Sequence, residues 1–181
     1  MKKSVIFTVA ALLFSSVSYA YELNPEDWLL HIGVGPSVNL VREEATSKKS
    51  PGAGLLFSAD LEYMLDDSWS ALAGVRPMLT PGFVDMGFSV GAKYRWTKEV
   101  LPFIPFASVS VTPAILLPLS SPGTTHFNVG LRPTVGCDYF VMRNLAVGVE
   151  LALEPSLILI SGADSWFEFT VDFLFGATWK F

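Results

Sequence analysis

Residues 167 to 181, FEFTVDFLFGATWKF, decide the fold. The odd positions carry Phe167, Phe169, Val171, Phe173, Phe175, Ala177, Trp179 and Phe181, whereas Glu168, Thr170, Asp172, Leu174, Gly176, Thr178 and Lys180 between them are mostly polar or small. Successive side chains of a strand point to opposite sheet faces, so the alternation predicts one long strand with an aromatic face and a hydrophilic face. Such a strand suits a boundary between lipid and water.

The same period of two runs upstream. A first strand sets Trp28, Leu30, Ile32, Val34, Val38 and Leu40 against His31, Gly33, Gly35, Ser37 and Asn39. A second, over 54–63, sets Leu55, Phe57, Ala59, Leu61 and Tyr63 against Gly54, Leu56, Ser58, Asp60 and Glu62. A weaker third covers 69–79 with Arg76 on its polar face, and a very regular fourth covers 85–96, with Lys93 and Arg95 among its polar positions. The fifth is expected at 103–117, the sixth at 127–139 with Arg132 and Asp138 on the polar face, and the seventh at 145–154 with Glu150. With the closing strand the count is eight, and an even count returns both termini to one side. The predicted fold is all-β, an eight-stranded antiparallel up-and-down transmembrane β-barrel.

Alternation alone does not say which face is inside. The interior of an eight-stranded barrel has room only for packed side chains. The glycine-rich face, with Gly33, Gly35, Gly74, Gly87, Gly91, Gly130, Gly136, Gly148 and Gly176, therefore belongs inside and the aromatic face outside. Running the strands alternately up and down puts Trp28, Tyr63, Trp69, Tyr94, Trp96, Tyr139 and Trp179 at the end holding the short connections and both termini. Aromatic residues collect at bilayer interfaces, so this end reads as the periplasmic girdle. Connections near 41–53, 79–85, 117–126 and 156–165 are then extracellular, the first bearing Arg42, Glu43, Glu44, Lys48 and Lys49.

The first twenty residues read as a secretory signal peptide, with Lys2 and Lys3 ahead of an apolar run and small residues at Ser18 and Ala20. The barrel domain is assigned to 21–181. The chain carries a net charge of −5, and about −7 once Lys2 and Lys3 are removed, which argues against nucleic acid as a partner. Cys137 is the single cysteine, so no intramolecular disulfide can form. The uncharged stretch 100–131 is broken by Pro102, Pro105, Pro113 and Pro118 and fits strands better than a spanning helix.

The polar face supplies the candidate site. Arg132, Glu150 and Asp172 are expected near mid-height on neighbouring strands with Arg76 facing across, and Asp60, Glu62, Lys93, Arg95, Asp138 and Lys180 form a second layer toward the termini. Opposite charges in a narrow barrel should pair, because unpaired burial costs several kcal/mol. The first reading is a polar core that locks the barrel; the second is a pathway for small ions or solutes. Near the far end, 114–117 and 157–160 become apolar on both faces, which implies either a plug or a pocket for a hydrophobic ligand, since ligand sites favour barrel mouths. His126 lies at that rim beside Ser120, Ser121, Thr124 and Thr125, but no carboxylate close in sequence would orient it as a triad needs. His31 reads as a core residue, and no metal or cofactor is expected.

Taken whole, strand pattern, leader and terminal Phe181 resemble the small eight-stranded bacterial outer-membrane barrels, which include outer-membrane protein X and the transmembrane domain of outer-membrane protein A. The resemblance implies an outer-membrane address in a Gram-negative cell, with both termini periplasmic. It implies outer-membrane lipid and lipopolysaccharide as surroundings, and periplasmic chaperones and the barrel-assembly machinery as partners in biogenesis. Gly176, Trp179 and Phe181 would be the assembly signal, with Leu174 at a position usually polar. A monomer with no peptidoglycan-binding domain after Phe181 is expected. The implied function is non-enzymatic, structural or surface-interacting; a narrow porin-like pore or a carrier of small hydrophobic molecules is the alternative. A lipid A-modifying enzyme ranks third, because the His-x-Ser pattern of the lipid A deacylase is absent: residue 128 is Asn.

Overall fold

The computed structural model describes residues 23–42, 52–97, 103–119, 125–159 and 165–181. The expected leader, the charges at 43–49, Ser120, Ser121, Thr124 and Ile160 lie outside the described residues. Alternating inward and outward side chains produce eight strands: β1 (Trp28–Arg42), β2 (Ala53–Met64), β3 (Trp69–Leu79), β4 (Phe83–Arg95), β5 (Phe103–Pro118), β6 (His126–Met142), β7 (Leu145–Leu159) and β8 (Trp166–Lys180). Each pairs antiparallel with the next, and β8 pairs with β1, closing the barrel. Among the described residues no helix is long and apolar enough to cross a membrane. Strands of this length, tilted by about 40°, do suffice.

Several sequence boundaries move: β1 runs to Arg42, β4 ends at Arg95 and β6 runs to Met142, and three further differences follow. β7 runs to Leu159, past the expected end at Glu154, because Ser156 and Ile158 continue its inward face even where polarity is lost. The loop expected at 79–85 shrinks to a turn at 80–82, where the Thr80 hydroxyl donates to the Phe83 carbonyl at 2.9 Å and accepts its N–H at 3.1 Å. β8 stops at Lys180, although the Phe181 N–H still donates to the Trp28 carbonyl at 2.9 Å.

The pairing register gives the stagger. From Leu29 the partners run through Glu62, Leu72, Gly91 and Ser110 to Arg132, whose side chain meets Glu154; Glu154 pairs with Thr170, and the row then reaches Asn39. Asn39 lies ten residues beyond Leu29 on the same strand. The outer face carries the large apolar side chains, among them Ile32, Phe88, Val90, Leu131 and Phe175, all exposed. Inside, broad side chains lie over glycines: the Phe106 ring covers Gly136, and a Cβ on Gly176 would stand 2.7 Å from His31 Nε2.

Proline notches the wall in a regular way. The ladder skips Pro36 between β8 and β1, Pro77 between β2 and β3, Pro113 between β4 and β5, and Pro133 with Pro155 between β6 and β7. Proline has no N–H to donate to a neighbour. From Pro36 the partners are Leu55 and then Leu79, two residues past Pro77; the same step of two recurs through Met86 and Ile115 to Pro113, and through Val129 and Leu157 to Pro155. With ten residues of stagger over eight strands, a step of about two and a half every second strand keeps constant height. The four prolines on odd-numbered strands therefore form a belt, and four intact hairpins meet at four notched seams.

Candidate functional site

The barrel's charges lie inside, in tiers. In the tier nearest the termini, Glu62 is fully buried and receives Lys93 Nζ at 2.5 Å, Arg95 Nη1 at 2.7 Å and the Ser70 hydroxyl at 3.1 Å. Lys93 also stands 4.4 Å from the centre of the Phe106 ring, and Arg95 Nε lies 3.7 Å from Asp138. Above it, His31 Nδ1 and the Thr178 hydroxyl are 3.0 Å apart, and His31 Nε2 is 3.2 Å from Glu150. Arg76 donates to Asp60 at 3.0 Å, and the Ser89 hydroxyl holds the second Asp60 oxygen at 2.8 Å. Arg132 Nη1 is shared between Asp172 and Glu154, the latter at 3.0 Å, and Glu154 also accepts from Thr112 at 2.7 Å. Mutual pairing offsets the desolvation that would otherwise expel such charges from a narrow interior.

Partners differ in detail from the sequence expectation. Arg76 meets Asp60 on the adjoining strand, the nearer carboxylate, instead of reaching across to β6, β7 and β8. Glu150 takes His31 as its partner, and Lys180 leaves the lower tier to pair with Asp27 at 2.6 Å on the rim. Glu154, His31, Thr112 and Asp27 were missing from the expected site. Glu154 was readable as inward from the period of β7, but its pairing depends on side-chain reach.

The end bearing the termini is capped. Leu23, Leu29 and Met64 form a buried apolar cluster, and residues 24–27 turn beside it, with Glu26 at φ 73°. The Glu26 N–H donates to the Met64 carbonyl at 2.9 Å and the Met64 N–H to the Asp27 carbonyl at 3.0 Å, so the N-terminal segment is stitched to the end of β2. Aromatic pairs gather at this end: Trp28 with Tyr63, Trp69 with Tyr94, Tyr94 with Trp96 and Phe103 with Tyr139, each with ring centres 5.0 Å apart. Asp66, in the β2–β3 turn, accepts the N–H groups of Ser68 and Trp69 at 2.7 Å each, and these bonds hold its carboxyl below the ordinary value of 3.8.

Known structures share this architecture. OprG from Pseudomonas aeruginosa superposes with a TM-score of 0.57 at 12% identity over 89% of this chain and 98% of that one. Neisserial surface protein A gives 0.65 at 11% identity over 86% and 97%, and the N-terminal β-barrel domain of Pseudomonas aeruginosa OprF gives 0.58 at 11% over 88% and 100%. No protein-family model and no curated protein sequence matches the chain. The chain has the fold of the small eight-stranded outer-membrane barrels.

Two spaces lie toward the far end of the described barrel. A cavity of about 40 Å³ lies at the level of Arg76 and Arg132, also bordered by Asp85, Asn128 and Asp172. Above it, a wider space of about 320 Å³ is lined by Asn39, Met78, Thr80, Pro81, Phe83 and Glu168. The apolar stretches expected near this end contribute Ala114, Leu116 and Ile158, all buried on the inner face. His126 faces Leu116 across the β5–β6 ladder. Among the described residues no group of three His, Cys, Asp or Glu is arranged to hold a metal ion.

Proposed function

We propose that the chain is a non-enzymatic integral protein of the bacterial outer membrane, a monomer with both termini in the periplasm and a structural or surface-interacting role. The observation that carries this reading is the combination of an apolar outer face with a lumen filled by paired charges and capped by Leu23, Leu29 and Met64. The aromatic pairs at the capped end suit an interface girdle, and a periplasmic place for that end agrees with its short connections. In this reading lipid and lipopolysaccharide surround the wall. Residues 1–20 direct export, and periplasmic chaperones and the assembly machinery handle the chain, with Gly176, Trp179 and Phe181 as the signal.

A second reading, transport as a narrow pore or a carrier of small hydrophobic molecules, is favoured by the 320 Å³ mouth with Met78, Pro81 and Phe83 in its wall. Surface labelling tests the first. In a Cys137→Ser background, a membrane-impermeant thiol reagent applied to intact cells should label Gly82→Cys and leave Asp66→Cys unlabelled. The reverse pattern would overturn the orientation, and fractionation away from the outer membrane would overturn the address. Altered lipid A in the mass spectrum of overproducing cells would overturn the non-enzymatic assignment.

A further inference from the structure

Asp85, on the inner face of β4, forms no ion pair among the described residues, and its Oδ1 is buried without a hydrogen-bond partner. It stands opposite Met78 on β3, at the level where the smaller cavity meets the wider space, for Met78, Phe83 and Thr170 line both. The charges that act on it most are the carboxylates of Glu154, Glu168 and Asp172. The guanidinium nearest that group, Arg132, is already shared by Asp172 and Glu154, and Arg76 is bound to Asp60. Water can hydrate a carboxylate in such a place but supplies no charge to balance it. Asn128 points to the same place: its side chain is 5% exposed, borders the cavity, and its Oδ1 has no protein donor. The opposite wall is apolar. Met78 and Phe83 lie on the inner face yet stay only half-buried, and with Pro81 they border the space of about 320 Å³.

We infer that this mouth binds a small primary amine with an apolar body, of the arylalkylamine class, its ammonium on Asp85 and Asn128 and its body against Met78 and Phe83. An ammonium brings three N–H donors, and its bond to a carboxylate is charge-assisted. The thioether and ring of the apolar wall adapt to an aromatic body, and a ring face attracts a cation. A quaternary ammonium would leave both oxygens without a donor, and an anion would meet carboxylates. A bare metal ion would find no suitable group of three ligands among the described residues. The space of about 320 Å³ is roughly ten times water's share of the liquid, room for a phenyl ring and a short chain. Entry is from the mouth, because the cap of Leu23, Leu29 and Met64 lies at the other end, and the guanidinium groups of Arg76 and Arg132 below Asp85 stop the cation there. The inference deepens the carrier reading by naming a ligand class; it concerns occupancy of the mouth, so a bound amine that never crosses the lumen would contradict that reading alone.

The test uses the protein refolded in detergent micelles with ¹³C-methyl methionine and follows the methyl resonances during titration with 2-phenylethylamine. Met78 lines the mouth, Met64 lies in the cap and Met86 is exposed on the outer wall, so the last two report the closed end and uptake of amine by the micelle. A saturable shift at Met78, with none at Met64 or Met86, is expected, and 2-phenylethanol and methylammonium should each bind at least about tenfold more weakly. Asp85→Asn takes away a carboxylate that has no cation to lose, so the variant should stay folded by heat-modifiable migration. It should weaken the amine by about tenfold or more and leave the alcohol unchanged. Absence of a saturable shift at Met78 would overturn the inference, as would equal affinity for the alcohol or for methylammonium, or amine binding that Asp85→Asn leaves unchanged. Flux of the same amine into liposomes tests the carrier reading separately: a shift without flux would sink that reading and support the site.

Discussion

Arg132 on β6 and Glu154 on β7 stand opposite one another at the point where the backbone ladder between their strands is interrupted, and Arg132 Nη1 donates to Glu154 Oε2 at 3.0 Å across the gap. A side-chain ion pair thus spans a place where Pro133 and Pro155 remove backbone donors. Polar side chains also meet at two of the other three notches, where Ser58 stands opposite Arg76 and Ser89 opposite Thr112; at the β8–β1 notch Gly35 stands opposite Leu174. A wall in hydrocarbon cannot draw on outside water for its freed carbonyls, so the polar lumen is the one side from which they can be served.

Removing the central cation should be costly. Arg132→Ala leaves Asp172 and Glu154 as buried carboxylates without their guanidinium, and breaking such a group destabilises by about 3–5 kcal/mol. Urea unfolding in detergent or lipid should show that loss, while Lys180→Ala, which breaks the part-exposed rim pair with Asp27, should cost less than about 1 kcal/mol. Equal losses for the two variants would contradict the tiered account.

The notched seams should exchange faster than the intact ones. Backbone amides of Phe57, Phe88 and Leu131 point across notched seams at skipped positions, opposite Pro77, Pro113 and Pro155, whereas amides that point across the β1–β2 seam at similar height lie in an uninterrupted ladder. Hydrogen exchange of the refolded barrel should show weaker protection at the former group. Uniform protection around the wall at that height would rule out a functional difference between the seams.

The apolar cap should behave as a packed core. Leu29→Ala or Met64→Ala opens a cavity in a cluster whose members are nearly or fully buried, and should cost about 2–5 kcal/mol in the same unfolding measurement. A change below about 0.5 kcal/mol would mean that the segment from Leu23 to Asp27 does not hold to the barrel as described.

Asp66 gives a pH dependence of known sign. Its folded-state carboxyl titrates below the ordinary value of 3.8, so its stabilising contribution is complete above that pH and is lost as pH falls through the lower folded value. Asp66→Ala should therefore destabilise near neutral pH and converge with the wild type in strong acid. A difference between the two that grew as pH fell would contradict the turn geometry.

Much of the barrel was legible in the sequence because a period of two is a local property: Trp69–Leu79 was read to the residue, and all eight strands were found. The end of β7 was not, because Pro155 reads as a strand breaker and Ile158 breaks the alternation of polarity while keeping the alternation of direction. The inward positions of Arg76, Glu150 and Asp60 could be read in the same way. Their partners could not, since the choice of Asp60 for Arg76 and His31 for Glu150 depends on register and side-chain reach around a closed wall. The cap by Leu23, Leu29 and Met64 had no periodic signal at all, as Leu23 precedes the first strand.

In the proposed membrane barrel the lumen is shut by its own paired charges and by the apolar cap. Single-channel recording in planar lipid bilayers, on protein shown to be folded by heat-modifiable migration, should therefore give no conductance steps above background; well-resolved ohmic steps from the folded monomer would contradict a closed lumen.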